Sequence, residues 1–443
     1  MGRRFMKSFL CRISILLIIM INIISAEELD LKKTVQLVKE QSKELKLAQA
    51  ELDLADARIK EAWASALPNI TTDVNYTRNL KDQFFFINTD GNTGGVPNKF
   101  SFTFKNEYSL SAKLEQTIYS FGKVGTALDI AYDYENYSQM SYDYQKQQII
   151  SGAKVAFYYA LLTRHIYDLS KDSELSAKNN YDETKLKYES GVVSEFDLLQ
   201  SEVRWRNAIP LTIAAKKNFG TAVNNLKSLI NVPIEKDIEL NGSLEDTPGL
   251  PSAVTSSDVL ENRLDYNALL LEGNMRDKNI SLEFANHLPT ISGNFTYSYS
   301  GRSDEFKIEN DFDNYILGLS LSIPIFSGGF TSAQVQKARI EYTKIETRIA
   351  QAKDRIEVDI QNSELNLKEA YERIQASEKN VSAAQRAFEI AETRVDNGLA
   401  TQLELKDSRF LLDQAKVNDL TARFDYLRAY FDWQIITGQW EEE

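Results

Sequence analysis

A single shift of 207 residues lays the second half of the chain on the first, and this internal match limits the fold more than any other feature of the sequence. The shift places Gly191 on Gly398, Ser194 on Thr401, Phe196 on Leu403, Asp197 on Glu404 and Ser201 on Ser408. It also places Tyr181 on Phe388, Leu229 on Ile436, Tyr108 on Tyr315, Leu110 on Leu317, Leu114 on Leu321, Ile118 on Ile325 and Ser120 on Ser327. Leu67-Pro68 matches Leu288-Pro289 at 221 instead, so the first copy carries a longer loop between about 77 and 107. One register that serves both helical and strand-like residues is hard to reach by chance. The chain therefore reads as two copies of one unit, 27–240 and 258–443, joined by a Gly-, Pro- and Ser-rich linker over 241–257.

Each copy has the same order of elements. A helix (28–65, then 257–286) leads through Leu-Pro into a strand. The strands are expected at about 68–80 and 100–119 in the first copy, and at about 289–300 and 314–326 in the second. Long helices follow over 122–189 and 330–396. Tips at 190–194 and 397–401 turn the chain into returning helices over 195–230 and 402–437. Pro210 falls inside a returning helix and should kink it.

The strand segments alternate. Tyr108, Leu110, Ala112, Leu114 and Ile118 oppose Ser109, Ser111, Lys113, Glu115 and Thr117, and Phe100, Phe102 and Phe104 extend the apolar set backwards. Ile291, Phe295, Tyr297 and Tyr299 form a second set. Tyr315, Leu317, Leu319, Leu321, Ile323 and Ile325 form a third, and Ile70, Val74 and Tyr76 a weaker fourth. About ten residues, apolar outside and polar inside, is the pattern of a transmembrane barrel strand. A half-buried sheet in a soluble domain alternates equally well.

The N-terminus favours the barrel. Residues 1–12 carry four basic groups and no acidic one, Ile13–Ile24 is apolar, and Ser25-Ala26 follows. Residues 1–26 read as a secretory signal peptide. The alternative, a membrane anchor, needs roughly 18 or more apolar residues. Cys11, the only cysteine, would leave with this segment, so the mature chain would have no disulfide and no cysteine metal site. Loss of the four basic residues takes the formal net charge from −13 to −17. Such an acidic chain is a poor nucleic-acid binder.

Four strands cannot close a barrel, and closed membrane barrels begin at about eight. An open edge in lipid leaves backbone groups unpaired at several kcal/mol each. If the strands span a bilayer, the protein must assemble. Two chains give eight strands and a filled lumen; three give twelve and a pore. The strand count thus favours a trimer.

The long helices exceed what an ordinary domain needs. About 68 residues at roughly 1.5 Å each reach about 100 Å. Apolar or small residues recur at Ile345, Ile349, Ala352, Ile356, Ile360, Ser363, Leu367, Tyr371 and Ile374, an eleven-residue period. That period gives nearly straight or slightly right-handed packing able to line a wide tube. The plainer alternative is an antiparallel coiled coil. At the tips, Gly191 and Gly398 suit the left-handed conformation that ends a helix. Ser194 and Thr401 can cap the returning helices, with Asp197 and Glu404 as capping-box partners.

The duplicated helix–strand–strand–helix order, Leu67-Pro68 and Leu288-Pro289, the Pro-Ile-Phe-Ser-Gly-Gly run at 324–329 and the Gly-led tips together resemble the TolC-like outer-membrane efflux channel family, over essentially the whole mature length. The resemblance implies a mixed α and β membrane protein. A homotrimer would build a 12-stranded outer-membrane β-barrel, four strands per chain, continued by a long periplasmic α-helical barrel closed at its tips. It also implies a periplasmic adaptor protein, an inner-membrane transporter of RND or ABC type, contact with outer-membrane lipid, and no cofactor.

In the family, acidic residues just after the second tip constrict the aperture; those positions hold Glu404 and Asp407 here. A first-tip aspartate that helps bond the closed tips matches Asp197, while its arginine partner would fall at Ala400, a departure from the pattern. Glu404 and Asp197 read equally as helix caps, and Asp407 as a solvated surface acid. Gly191, Val192, Val193 and Gly398, Leu399, Ala400 read either as plain turns or as the surface that docks the adaptor's helical hairpin.

The loop Arg78–Glu107, with Phe84-Phe85-Phe86 and Gly91–Gly95, would be extracellular. Catalysis is not expected: His165 and His287 are the only histidines, and neither lies in a ligand-spaced cluster. The favoured function is passive efflux through the outer membrane. The alternatives are a conduit for type I protein secretion, or a periplasmic structural coiled-coil protein.

Overall fold

The computed structural model of the chain describes residues 27–87, 98–101, 103–397 and 399–440. The expected signal peptide 1–26, Phe102, Gly91–Gly95 and Gly398 lie outside these. In order, the elements are β1 (Glu27–Leu29), α1 (Leu31–Gln41), α2 (Lys43–Ala64), β2 (Asn69–Arg78), β3 (Phe84–Ile87), β4 (Asn98–Ser101), β5 (Asn106–Tyr119), α3 (Lys123–Glu189) and α4 (Glu195–Leu229). They continue as β6 (Ile238–Leu240), α5 (Ser256–Asn262), α6 (Leu264–Phe284), β7 (Thr290–Ser303), β8 (Phe312–Ser322), α7 (Phe330–Asp396) and α8 (Gln402–Thr437). The chain divides into two compact units. One comprises Met1–Glu51, Met140–Asn267 and Gln351–Glu443; the other comprises Leu52–Gln139 and Ala268–Ala350.

The second unit holds a four-stranded antiparallel sheet in the order β2-β5-β7-β8. Register sorts its residues by chemistry. Ile70 pairs with Leu114, Val74 with Leu110, Leu114 with Phe295, Ala112 with Tyr297, Phe295 with Leu317 and Tyr297 with Tyr315. These share one face. The other carries Thr71, Lys113 and Thr296, or Asp73, Ser111 and Ser298, across the strands. On that polar face Lys113 pairs with Glu115, and the Ser292 and Ser320 hydroxyls lie 2.7 Å apart. On the apolar face Ile70, Val74, Leu317, Leu319 and Leu321 are all exposed, Leu317 by 85%. Among the described residues of this unit nothing covers them.

Both ends of the sheet carry aromatic contacts. Tyr76, Tyr108 and Phe306 cluster with centroids 5.2 to 6.1 Å apart, and Tyr119 packs 4.7 Å from Phe121. At the strand-to-helix turns, the Ser120 and Ser327 hydroxyls accept from Val124 N–H (3.3 Å) and Thr331 N–H (3.5 Å).

The sequence expectation fails in the first loop. Phe100 does not extend β5; it pairs with Phe85 in a separate β3–β4 hairpin, and Phe104 lies in no strand. Alternation continues through the turn residues, so it does not mark where one strand stops. The expected single helices 28–65 and 257–286 are each two. Ser42 is extended (ψ 128°) and its hydroxyl accepts from Leu45 N–H at 3.4 Å, which starts α2 afresh. Arg263 (ψ 110°) separates α5 from α6 and bonds Asp265 at 2.8 and 3.1 Å. Pro210 lies within α4, whose helical assignment is unbroken around it.

The first unit buries a core of Leu29, Val38, Ile150, Phe157, Leu161, Leu226, Ile230 and Leu427. Its α7 stripe is buried at Ile356, Ile360, Ser363, Leu367, Ala370 and Ile374, on the eleven-residue spacing. Two features have no local signal. β1 and β6 pair in parallel, Glu27 to Ile238 and Leu29 to Leu240, and Arg164 Nη1 donates to the Leu240 carbonyl at 2.5 Å. The segment 241–257 is not a free tether either: Leu244 is buried, and the Pro248 carbonyl accepts from the Tyr426 hydroxyl at 2.8 Å.

Burial pushes the Tyr426 hydroxyl up to about 12, with Tyr430 and Tyr371 nearby adding to the shift. A folded-state value above the unfolded one means that this contribution is complete below about pH 10 and is lost as pH rises to about 12. Tyr426→Phe is expected to lower stability near neutral pH by about 1 kcal/mol through the lost hydrogen bond. It should also weaken the alkaline decline between those two values. Thermal unfolding at pH 7 and pH 11 checks both.

Candidate functional site at the helical tips

The tips of the first unit are built by backbone geometry. At the first, Gly191 adopts φ +72°, Val192 N–H bonds the Lys187 carbonyl at 2.9 Å, and Gly191 N–H bonds that of Tyr188 at 2.9 Å. A left-handed glycine closing the last helical carbonyls is the usual helix stop. At the second tip Leu399 N–H bonds the Arg394 carbonyl at 2.8 Å, and Asn397 N–H that of Thr393 at 3.2 Å. Val192 and Leu399 stand exposed at the two turns, by 72% and 70%.

The two capping residues behave differently. Ser194 Oγ accepts from Asp197 N–H at 3.2 Å. Asp197 Oδ2 accepts in return from Ser194 N–H (3.2 Å) and the Ser194 hydroxyl (2.6 Å), a complete capping box. Thr401 Oγ1 accepts from Glu404 N–H at 3.2 Å, but the Glu404 carboxylate does not complete the box. Its Oε2 lies 3.5 Å from Arg394 Nη1, and Arg394 Nη2 donates to the Leu399 carbonyl at 3.2 Å. The expected side-chain half of the second box is therefore replaced by an ion pair across the tip. Sequence reasoning missed Arg394, although a basic residue in the last helical turn opposite an acid in the next first turn was a usable signal.

Asp407 is exposed, three residues beyond Glu404 on α8. Its charge acts on Arg204 of α4. Burial lowers the Arg204 guanidinium from its usual range, and Asp407 offsets part of that. Arg204 Nε is itself buried with no hydrogen-bond partner. Nothing about Arg204 in the sequence singled it out from other helix cations.

Between these helices runs a groove of about 760 Å³ lined by Phe196, Leu199, Val203, Arg204, Phe388 and Phe410 among others. At its side Arg409 Nε sits 3.0 Å from Asp413 Oδ1, and its guanidinium lies 5.4 Å from the Phe388 ring centroid. Of the predicted site residues, Asp197 is occupied as a cap, Glu404 is paired with Arg394, and Asp407 remains the exposed acid. Ala400 supplies no cation. Among the described residues no group of three or more His, Cys, Asp or Glu could hold a metal ion, and no helix is long and apolar enough to cross a membrane.

Ser194→Ala removes the box from the first tip. It is expected to cost about 1 kcal/mol of local stability. Hydrogen exchange at the N–H groups of 195–198 should accelerate, with no change at 402–405.

Comparison with known proteins identifies relatives. A family model described as "Outer membrane efflux protein" matches residues 34–232 and 255–438. Outer membrane protein TolC of Escherichia coli (strain K12) is 22% identical over 396 residues, covering 87% of this chain and 77% of TolC. Alkaline protease secretion protein AprF of Pseudomonas aeruginosa is 22% identical over 310 residues, covering 67% of this chain and 63% of AprF. The crystal structure of the Campylobacter jejuni CmeC outer membrane channel superposes with a TM-score of 0.79 at 18% identity, covering 93% of this chain and 86% of that one.

Proposed function

The chain belongs to the outer membrane efflux protein family, and from that membership we propose that it is the exit duct of a tripartite efflux system. It conducts passively what an inner-membrane pump, of RND or ABC type, delivers through a periplasmic adaptor. The observation that carries this reading is the sheet: one face is largely apolar and exposed at Val74, Leu317 and Leu319, the other is largely polar, and β2 and β8 are its two edges. A sheet of this kind is stable in hydrocarbon only when its edges close on further strands. Three chains supply twelve strands, enough for a lumen faced by Thr71, Asp73, Lys113 and Ser298. The aromatic clusters at the two ends of the sheet suit the two interfaces of a bilayer.

In this reading residues 1–26 are the signal peptide, and 27–240 and 258–443 are two copies of one unit. Paired details support the duplication. Gly191 N–H and Val192 N–H close the first tip, Leu399 N–H closes the second at the equivalent carbonyl, and Asn231 and Gly438, 207 residues apart, both take positive φ. The tips form the gate and the adaptor contact. Val192 and Leu399 are the apolar anchors, with Gly191, Val193 and Ala400 beside them in the turns. A three-fold ring of carboxylates in a narrow mouth attracts cations and repels anions. Asp407 carries that role, with Glu404 beside it; Asp197 serves its own helix.

AprF, named for alkaline protease secretion, keeps a second reading open: a conduit for protein secretion. The pump that co-purifies from cross-linked cells distinguishes the two.

Native mass spectrometry of the detergent-extracted protein is expected to give three copies per particle. In planar bilayers Asp407→Asn should lower the preference for K⁺ over Cl⁻ several-fold. A monomer recovered without detergent would sink the channel reading, and an unchanged reversal potential would sink the gate assignment.

A further inference from the structure

We propose that Arg394 is the charge-setting residue of the second tip. It holds the Glu404 carboxylate and the Leu399 carbonyl together, takes Glu404 out of the mouth's field, and leaves Asp407 to set ion preference. The inference rests on reading Glu404 and Asp407 as constriction acids.

The two tips explain why the bridge forms at one and not the other. Arg394 corresponds to Lys187 at the first tip, and Glu404 to Asp197. Lys187 has an acid one turn back, and its Nζ lies 2.6 Å from Glu183 Oε1. The position matching Glu183 is Ile390, which offers Arg394 no such partner. Asp197 is likewise occupied locally by Ser194. At the second tip both local partners are missing or unused. Arg394, in the last turn of α7, reaches across to the first turn of α8, at 3.5 Å from Glu404 Oε2 and 3.2 Å from the Leu399 oxygen.

A guanidinium has donors enough for both acceptors in one plane, which an ammonium lacks. The bridge has two consequences. Each chain places one net negative side chain, not two, near the proposed mouth. The turn 395–401 is also tied to α8 by a side chain as well as by the backbone, so losing the arginine loosens the turn and alters the charge together.

Reversal potentials and conductance in planar bilayers under a KCl gradient test this, with native mass spectrometry checking that each variant still assembles. Arg394→Gln is expected to raise the K⁺/Cl⁻ permeability ratio several-fold by releasing Glu404, and to raise conductance. Glu404→Gln should lower the ratio, because Arg394 is left uncompensated. The double variant should lie near the parent, and the exchange Arg394→Glu with Glu404→Arg should restore the ratio. Arg394→Lys should keep the ratio while raising conductance, since it retains the charge but not the two-acceptor reach. If Asp407→Asn shifts the ratio and Arg394→Gln does not, or if the exchange of Arg394 and Glu404 fails to restore the ratio, the bridge is wrong and the gate reading stands. If none of Arg394, Glu404 and Asp407 moves the ratio, the gate reading fails and this inference with it.

Discussion

A backbone N–H or C=O left without a partner in hydrocarbon costs several kcal/mol, and the four-stranded sheet offers two full edges of them. It also offers an apolar face on which Leu317, Leu319 and Val74 are bare. In water such a face and such edges invite aggregation; in a bilayer the face is satisfied by lipid and the edges by further strands. In the proposed assembly, several chains around one lumen would meet both conditions. The alternating register makes this possible, because an apolar pair such as Leu114 and Phe295 fixes the polar pairs Lys113–Thr296 and Glu115–Asn294 beside it on the opposite face.

The helical unit solves a different problem. Between Ile356 and Ile374, α7 buries a narrow stripe whose small and apolar members recur every eleven residues. Such a spacing keeps packing nearly straight. Extra anchorage comes from pieces that do not belong to the helices: the β1–β6 pair, Leu244 in the connecting segment, and the Pro248 carbonyl under Tyr426. Without them the connecting segment would be a tether. With them it is part of the core.

At the tips the decisive energies are small and local. A cap, an exposed ion pair and a carbonyl contact are each worth about 1 kcal/mol or less. Because they are comparable, one residue decides between them. Ile390 in place of an acid leaves Arg394 available, and Thr401, unlike Ser194, does not hold its acid by a side-chain bond. Two tips closed by matching Val192 and Leu399 backbone bonds thus carry different electrostatics.

Local pattern in the sequence sufficed for the four strands of the main sheet, the long helices, the Gly191 turn and the Ser194 and Thr401 N-caps, because alternation, helical period and capping act within a few residues. It also pointed to Asp197, Glu404 and Asp407. It did not determine that Phe100 belongs to a separate hairpin, that Ser42 and Arg263 break the first helix of each half, or that residues 27–29 pair with residues 238–240. Nor did it say which partner Glu404 takes. Those outcomes depend on which groups the folded chain brings within hydrogen-bonding distance. For Glu404 the choice lay between its own backbone cap and an arginine ten residues earlier, and only the shape of the turn put Arg394 3.5 Å away.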